Sequence, residues 1–363
     1  MAITATSERL PISDAPLIHG LTFRNFGGDQ DFPDMVAVLD SAGEADGNDE
    51  AHTIENMRSS YADLKNCDPY RDVVLVEAAG EIVGYKRVTW WQELDGTYIY
   101  GHFGFIVPEW RGKGIGRALL RHSEARLHEI AQEQSHATDV PRLFDTWAYD
   151  AQEGLVELLN SEGYAPVRHS YDMVRPDLEN IPDCPMPNGL ETRPIQPEQY
   201  RAIWEAEVEA FQDHWGMDTT TEEDFQRWIT SWPLTFQPHL WQVAWDGDQV
   251  AGMVRNFIVE EENEKNNRKR GYTESISVRR PWRKRGLAKA LIARSFKMHR
   301  DLGMDEAALG VDTENPNRAL QLYESMGFKM VKHSASYRKP MPSRKCTDLE
   351  KSIKMGSAVP NPF

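Results

Sequence analysis

The chain has 363 residues, enough for two domains with full cores. Its 41 Lys and Arg stand against 57 Asp and Glu, and the resulting formal net charge of −16 argues against nucleic acid as a partner, since phosphate backbones call for a basic face. No apolar run approaches the roughly 20 residues of a membrane helix, no basic-then-apolar leader is evident, and three scattered cysteines fit a reducing compartment, so a cytoplasmic protein with no membrane partner is expected.

Residues 1–18 carry no periodicity and read as an arm. Residues 21–24 read as a first strand, and 32–42 and 53–66 as helices. Residues 72–78 and 82–88 alternate or run apolar around a turn at Ala79-Gly80-Glu81, which predicts a hairpin. A further strand over 97–106 leads into a Gly-rich loop. The helix expected over 114–134 presents Ala118, Leu119, Ala125, Leu127, Ile130 and Ala131 as its apolar face. A strand over 143–149, a short helix over 154–161 and a strand over 164–174 close the first half.

Residues 175–189 are dense in proline and read as a linker. The same order then repeats, so duplication is the main organisational signal. A strand at 190–193 precedes helices over 197–210 and 222–231. A hairpin joins 240–245 to 250–259 across Asp246-Gly247-Asp248. A strand over 272–278 feeds a second loop, followed by a helix over 286–302, a strand over 306–311, a helix over 316–326 and a closing strand over 328–338. The polar run 260–269 reads as a solvated extension of the hairpin.

The two loops share one design: Arg111-x-x-Gly114-x-Gly116 and Arg283-x-x-Gly286-x-Ala288. Each follows a strand and opens an amphipathic helix. Small residues let the backbone approach closely, successive N–H groups converge, the helix N-terminus is partly positive and cationic side chains add charge. The natural occupant is a phosphate or pyrophosphate. Neither loop is Gly-Lys-Ser/Thr or Gly-x-Gly-x-x-Gly, which sets nucleotide-triphosphate and dinucleotide loops aside. Metal-ligand spacings and a Gly-x-Ser-x-Gly nucleophile are missing too, so no metal is expected.

With these loops and their flanking elements, residues 20–175 and 190–340 resemble the GNAT superfamily of N-acetyltransferases in a tandem form, and the division of labour between the halves is similar to that of the mycothiol synthase family. The resemblance implies a mixed-sheet α/β fold of two acyl-CoA N-acyltransferase domains, with acetyl-CoA as co-substrate and a small-molecule primary amine as acceptor. It implies pyrophosphate binding by Arg283, Lys284, Arg285, Gly286, Leu287, Ala288 and Lys289, and at the first loop by Arg111, Gly112, Lys113, Gly114, Ile115 and Gly116. It implies a bulged, splayed strand before each loop, whose backbone at Ile276, Ser277 and Val278, or at Phe105, Ile106 and Val107, takes the pantetheine arm. In the stretch Asn315-Pro316-Asn317-Arg318-Ala319-Leu320-Gln321-Leu322-Tyr323 it implies that Asn315 contacts CoA and that Tyr323 protonates the departing thiolate. A phenol near a thiolate of ordinary pKa about 8.5 suits that task. Ala319, Leu320 and Leu322 are expected to face the core.

The first half departs from this pattern: Leu159 stands where Tyr323 stands and Ala151 where Asn315 stands. Leucine cannot donate a proton. The resemblance implies a general base four residues before Val278, at Glu274, which by alternation is expected to share a face with Ile276 and Val278. The same count gives His102 in the first half. Asp213, His214 and Trp215, ahead of Gly216, are candidates for the acceptor site, against a plain helix end with a buried Trp. The expected organisation is a degenerate first domain over 1–180, with CoA binding left open, a catalytic domain over 187–340 and a tail over 341–363, in a monomer or homodimer. Two other readings stay open at this level: a CoA-responsive module without turnover, and an aminoglycoside-type acetyltransferase.

Overall fold

The computed structural model describes residues 9–134, 140–230 and 234–342. The tail beyond residue 342, Ser231, Cys346 and residues 1–8 lie outside the described residues. The first half runs β1 (Leu21–Asn25), α1 (Phe32–Ala45), α2 (Ile54–Ala62), α3 (Pro69–Asp72), β2 (Val73–Ala78), β3 (Glu81–Gln92), β4 (Tyr98–Ile106), α4 (Ile115–Glu133), β5 (Arg142–Tyr149), α5 (Glu153–Ser161) and β6 (Ala165–Arg175). The second runs β7 (Glu191–Thr192), α6 (Tyr200–Phe211), α7 (Glu222–Thr230), β8 (Gln242–Asp246), β9 (Gln249–Phe257), α8 (Glu260–Lys265), β10 (Arg270–Val278), α9 (Leu287–Asp301), β11 (Glu306–Asp312), α10 (Ala319–Ser325) and β12 (Lys329–Pro340). No helix among the described residues is long and apolar enough to cross a membrane.

Local chemistry explains the boundaries. Thr53 caps α2 by accepting from the Asn56 N–H at 3.1 Å. The hairpin turn uses positive φ at Ala79 and Gly80. Val73, Val74, Leu75 and Val76 are all buried, as a strand covered on both faces requires. On α4 the buried stripe is Ile115, Ala118, Leu119, Leu120, Ser123, Leu127, Ile130 and Ala131. Ala125 is exposed instead, because Ser123 takes the inward place and returns its hydroxyl to Leu119 O at 2.9 Å. The arm is not loose over its described part: Leu10, Ile12 and Ala15 pack on the first half's core. The polar run 260–269 is also not a solvated extension. It forms α8, with Glu262 and Asn263 buried.

All twelve strands join one sheet in the order β1-β2-β3-β4-β5-β12-β6-β11-β10-β9-β8-β7. The closing strands are exchanged. β12 lies against β5 of the first half, and β6 lies against β11 of the second, with β6 and β12 antiparallel between them. Each half's sheet is therefore completed by a strand from the other. The α1–α2 connection reaches across as well: Asp49 carries Arg270 at 3.1 Å and Lys332 at 2.6 Å and pairs with Arg268, while Lys265 reaches Asp40 at 3.1 Å.

Candidate active site

β10 begins as a regular parallel partner of β11, from Arg270–Tyr272 against Glu306–Ala308, and the two strands then part. On its other edge β10 pairs with β9, but the register jumps between Glu274 and Ser277, where Ser275 takes φ 48°. This is a β-bulge: Ser275 and Ile276 stand against the single residue Val254. The bulge reverses the side-chain parity predicted by simple alternation. Glu274 pairs with Arg255 and Ser277 with Met253, on the α6 side, whereas Ile276 and Val278 pack in the core that holds α9 and Tyr323. Glu274 therefore shares a face with Ser277, not with Ile276 and Val278.

The parted strands leave a cleft of about 950 Å³. Its walls bring together Glu274, Ile276, Ser277, Val278, Arg283, Lys284, Gly286, Leu287, Ala288, Lys289, His214, Asn315 and Tyr323, all from the predicted set. Arg285 is not among them; its guanidinium donates to Asn188 O at 3.0 Å. Helix α9 starts at Gly286, at φ 88° with no side-chain cap, so its first N–H groups are left for a ligand. A Cβ at Gly286 would meet nothing within 4 Å, and Thr273 Oγ1 and Ser277 Oγ are buried without hydrogen-bond partners among the described residues. An open cradle at a helix N-terminus, a stretch of strand freed from its neighbour and unspent hydroxyls fit an extended, phosphate-ended thioester.

The Arg283 side chain is used differently from the expectation. Its Nε donates to Val278 O at 2.9 Å, and its terminal nitrogens bind Ala210 O at 3.1 Å and Asp213 at 3.1 Å. The guanidinium ties the loop to the end of α6 and is largely neutralised there. Lys284 holds φ 61° where the first loop has Gly112 at φ 71°. This left-handed conformation costs a residue with a Cβ about 1–2 kcal/mol.

Glu274 Oε1 accepts the Gly310 N–H at 2.7 Å. Burial pushes its pKa up to about 7; the Gly310 N–H bond and Arg255 oppose this, and the charge of Asp172 adds to it. Tyr323 is 7% exposed, and burial together with the charge of Glu274 pushes its phenol further above its ordinary value. It stays protonated across the physiological range. Ala319, Leu320 and Leu322 are half-buried and pack against the second half's core as expected, and Ala319 and Leu322 also line the cleft beside Tyr323.

The acceptor candidates divide. His214 lines the cleft, 3.3 Å from the Asn315 amide. Asn315 itself accepts the Asn317 N–H at 2.8 Å, as in an Asx turn. Asp213 pairs with Arg280 and Arg283, away from the walls. Trp215 is 38% exposed and stacks under Arg338, 4.1 Å from its ring centroid, so it is neither a buried helix stop nor a cleft residue.

The first half repeats the loop clamp, and β4 leaves β5 after Gly101 as β10 leaves β11, but the bulge is missing. Arg111 binds Ile106 O at 2.9 Å, Ala42 O at 3.3 Å and Asp46 at 3.1 Å, contact for contact as Arg283 does. β3 and β4, however, pair without a register shift from Gln92/Tyr98 to Gly84/Ile106, and Val107 N–H continues the ladder to Val83 O at 3.0 Å. The bulge expected at Phe105, Ile106 and Val107 is missing. Ile115 is buried, a Cβ at Gly114 would lie 3.6 Å from Pro16, and Leu159 is fully buried. Lys113 rests over Trp110. Because one half is bulged and the other is not, counting back from the loop misaligns them. The ladder equates Gly84 with Gly252, Arg87 with Arg255 and Phe103 with Glu274, and gives Thr273 as the mate of His102. His102 is buried against Tyr164 OH at 2.8 Å, and burial pushes it down to about 3.

A second cavity of about 500 Å³ adjoins the first at Glu274, which lines both. Its walls come from both halves and include Tyr61, Tyr85, Arg87, Phe103, Phe105, Phe257 and Tyr272. Sequence reasoning missed it, Arg87 and Arg255 included. The available signal was the repeat itself, Gly84-x-x-Arg87 and Gly252-x-x-Arg255. Among the described residues no cluster of three His, Cys, Asp or Glu is arranged to hold a metal.

A strand that splays at a glycine-led helix N-terminus, present in both halves and bulged in the second, has the layout of an acyltransferase. The chain belongs to the acetyltransferase (GNAT) family, whose sequence profile matches residues 40–141 and 200–328. Among characterised relatives, the mycothiol acetyltransferase of Salinispora arenicola (strain CNS-205) is 28% identical over 312 residues, covering 84% of this chain and 92% of its own. That of Thermomonospora curvata is 27% identical over 266 residues, 72% of this chain and 80% of its own. Among solved structures, a GCN5-related N-acetyltransferase from Sphaerobacter thermophilus superposes with TM-score 0.67 at 25% identity, over 90% of this chain and 97% of its own. A tandem GNAT protein from the clavulanic acid biosynthesis pathway shares the fold with TM-score 0.63 at 16% identity, over 89% and 99%.

Proposed function

We propose that this acetyltransferase moves the acetyl group of acetyl-CoA to the primary amine of a small molecule, and that residues 187–340 carry the reaction while residues 1–180 are a degenerate copy. The observation that carries this reading is the bulge of β10, which its counterpart β4 lacks. It belongs to the strand that also bears Glu274, and it opens the cleft that holds Tyr323. Asn315 and residues 276–278, 283–284 and 286–289 border the space for the cofactor's pantetheine and pyrophosphate. The relatives' name, mycothiol acetyltransferase, supports a small-molecule acceptor.

In this reading the amine lone pair attacks the thioester carbonyl carbon and the carbon–sulfur bond breaks. Glu274, poised near neutrality, takes a proton from the amine, directly or through water. Tyr323 gives its proton to the leaving sulfur. A positioned acid or base of this kind contributes roughly 10²–10⁴-fold. The test is thiol release from acetyl-CoA with an amine panel, products identified by mass spectrometry, in the native chain and in Tyr323→Phe. Turnover is expected to fall at least tenfold in the variant, with CoA affinity unchanged. Equal turnover on a verified acceptor would remove Tyr323 from the mechanism.

A further inference from the structure

Arg87 and Arg255 occupy the same ladder position in the two halves, each three residues after a glycine whose Cβ would strike the neighbouring carbonyl at 2.7 and 2.6 Å. Each guanidinium lies over two aromatic rings. Arg255 sits 4.9 Å from Trp228 and 4.8 Å from Trp241; Arg87 sits 5.3 Å from Tyr61 and 4.7 Å from Phe103. There the likeness ends. Arg255 is paired with Glu207 at 3.4 Å and has Glu274 across the ladder. In the first half the corresponding residues are Leu39, fixed by the shared clamp on Ala42 and Ala210, and Phe103. Both carboxylates have been replaced by apolar groups. Among the described residues Arg87 has no carboxylate within ion-pair distance, and its Nε is buried without a hydrogen-bond partner.

Arg87 is half-buried and rests on two rings, so its guanidinium is held in place with no carboxylate partner among the described residues and is available to an anion. Arg87 opens onto the second cavity, which adjoins the cleft at Glu274. The other carboxylates on its walls are engaged or remote: Glu262 is held by Arg268 at 3.2 Å and by the Tyr272 hydroxyl, and Glu50 is half in solvent beside His52. Tyr61, Phe103, Phe105, Phe257 and Tyr272 give one part of the remaining lining ring surface, and Thr53, Asn56, Ser60 and Thr235 add polar groups.

We propose that this cavity is the acceptor site, and that the acceptor is an amine that also bears a carboxylate and a flat apolar body, with the carboxylate on Arg87 and the amine at Glu274. The inference rests on the reaction assigned above and deepens it. It makes the first half, though without the bulge, the source of the group that selects the acceptor. It also separates this chain from an acetyltransferase of neutral or polycationic amines.

The experiment compares phenyl-substituted amino acids of increasing amine-to-carboxylate spacing with their carboxamides, each as acceptor with acetyl-CoA, reading kcat/KM by thiol release. In the native chain at least one carboxylate is expected to exceed its carboxamide by tenfold or more, the scale of a buried charge-assisted bond. Arg87→Gln reduces that ratio to within about twofold, and Arg87→Lys restores part of it. Leu39→Glu, which supplies the carboxylate that the second half has in Glu207, removes the preference without removing the arginine. Circular dichroism and CoA affinity verify that each variant is folded. Transfer that ignores the carboxylate, or a preference that survives both Arg87→Gln and Leu39→Glu, overturns this inference alone. Absence of transfer to every amine, with CoA bound, overturns the assigned reaction with it.

Discussion

Replacing Glu274 by Gln tests the base by two independent readouts. Gln keeps the size of Glu and an oxygen for the Gly310 N–H, so the bulge and cleft are retained. With a folded pKa raised to about 7 by burial, the carboxylate is about half ionised at pH 7, about one-tenth at pH 6 and one-hundredth at pH 5. If it is the base, kcat/KM of the native chain falls about tenfold per pH unit below 7, whereas Glu274→Gln is slower by roughly 10²–10³ above that limb and loses the limb. Stability runs the other way. A carboxyl whose folded pKa lies above its ordinary 4.5 binds more protons folded than unfolded, so its contribution is intact below 4.5 and is lost as pH rises through about 7. The difference amounts to about 3 kcal/mol at most. The variant is therefore expected to unfold at higher urea than the native chain at pH 8, and the gap closes at pH 4.5. The assays are thiol release over pH 5.5–9 and urea denaturation at the two pH values. A variant with native activity, or with an unchanged acid limb, would sink the base assignment. An unchanged stability gap would sink the burial argument.

Calorimetric titration with CoA is expected to give one site per chain, since β4 lacks the bulge and Pro16 packs toward Gly114. Two equivalents would mean that the first loop still works. Lys86 offers a stability test, being 1% exposed with no partner for its Nζ and pushed down to about 7 by burial. The unfolded chain binds the extra proton between about 7 and 10.5, so native stability is expected to rise across that window. Lys86→Met removes this slope and stabilises the chain by roughly 1–3 kcal/mol at pH 7, read from urea midpoints at pH 7 and 9.5. A loss of stability at pH 7 would show that the ammonium is compensated after all.

The loops, hairpins and amphipathic helices were legible because each depends on neighbours in sequence. Gly114 and Gly286 mark positive φ before a helix, and α4 buries Ala118, Leu119, Leu127, Ile130 and Ala131 of its expected face. Glu274, Asn315 and Tyr323 meet in one cleft for the same reason, their spacing from the loop being fixed by short elements. What failed depended on residues far apart. A bulge is a relation between two strands, so no spacing within β10 reveals it, and one inserted residue moved the counterpart of Glu274 from His102 to Phe103. The run 260–269 read as solvated because its partners, Asp40 and Asp49, lie more than 200 residues away, and the strands that cross between the halves also pair with residues more than 100 positions distant.

The exchange of β6 and β12 bears on why a half without the bulge keeps so much of the family's design. β12 has its place only while β5 stands beside it, and β6 closes the second half's sheet against β11. The Arg111 clamp holds the end of α1 through Ala42 and Asp46, and from there Asp49 reaches Arg270 and Lys332. The first loop thus serves as a joint: it sets the α1–α2 connection that roofs the second cavity and places Leu39 and Tyr61 around Arg87. On this account Arg111→Ala acts at a distance. The loss would fall on acceptor KM and not on CoA affinity, because the clamp is continuous with the acceptor wall while the CoA cradle is built from β10, α9 and α10.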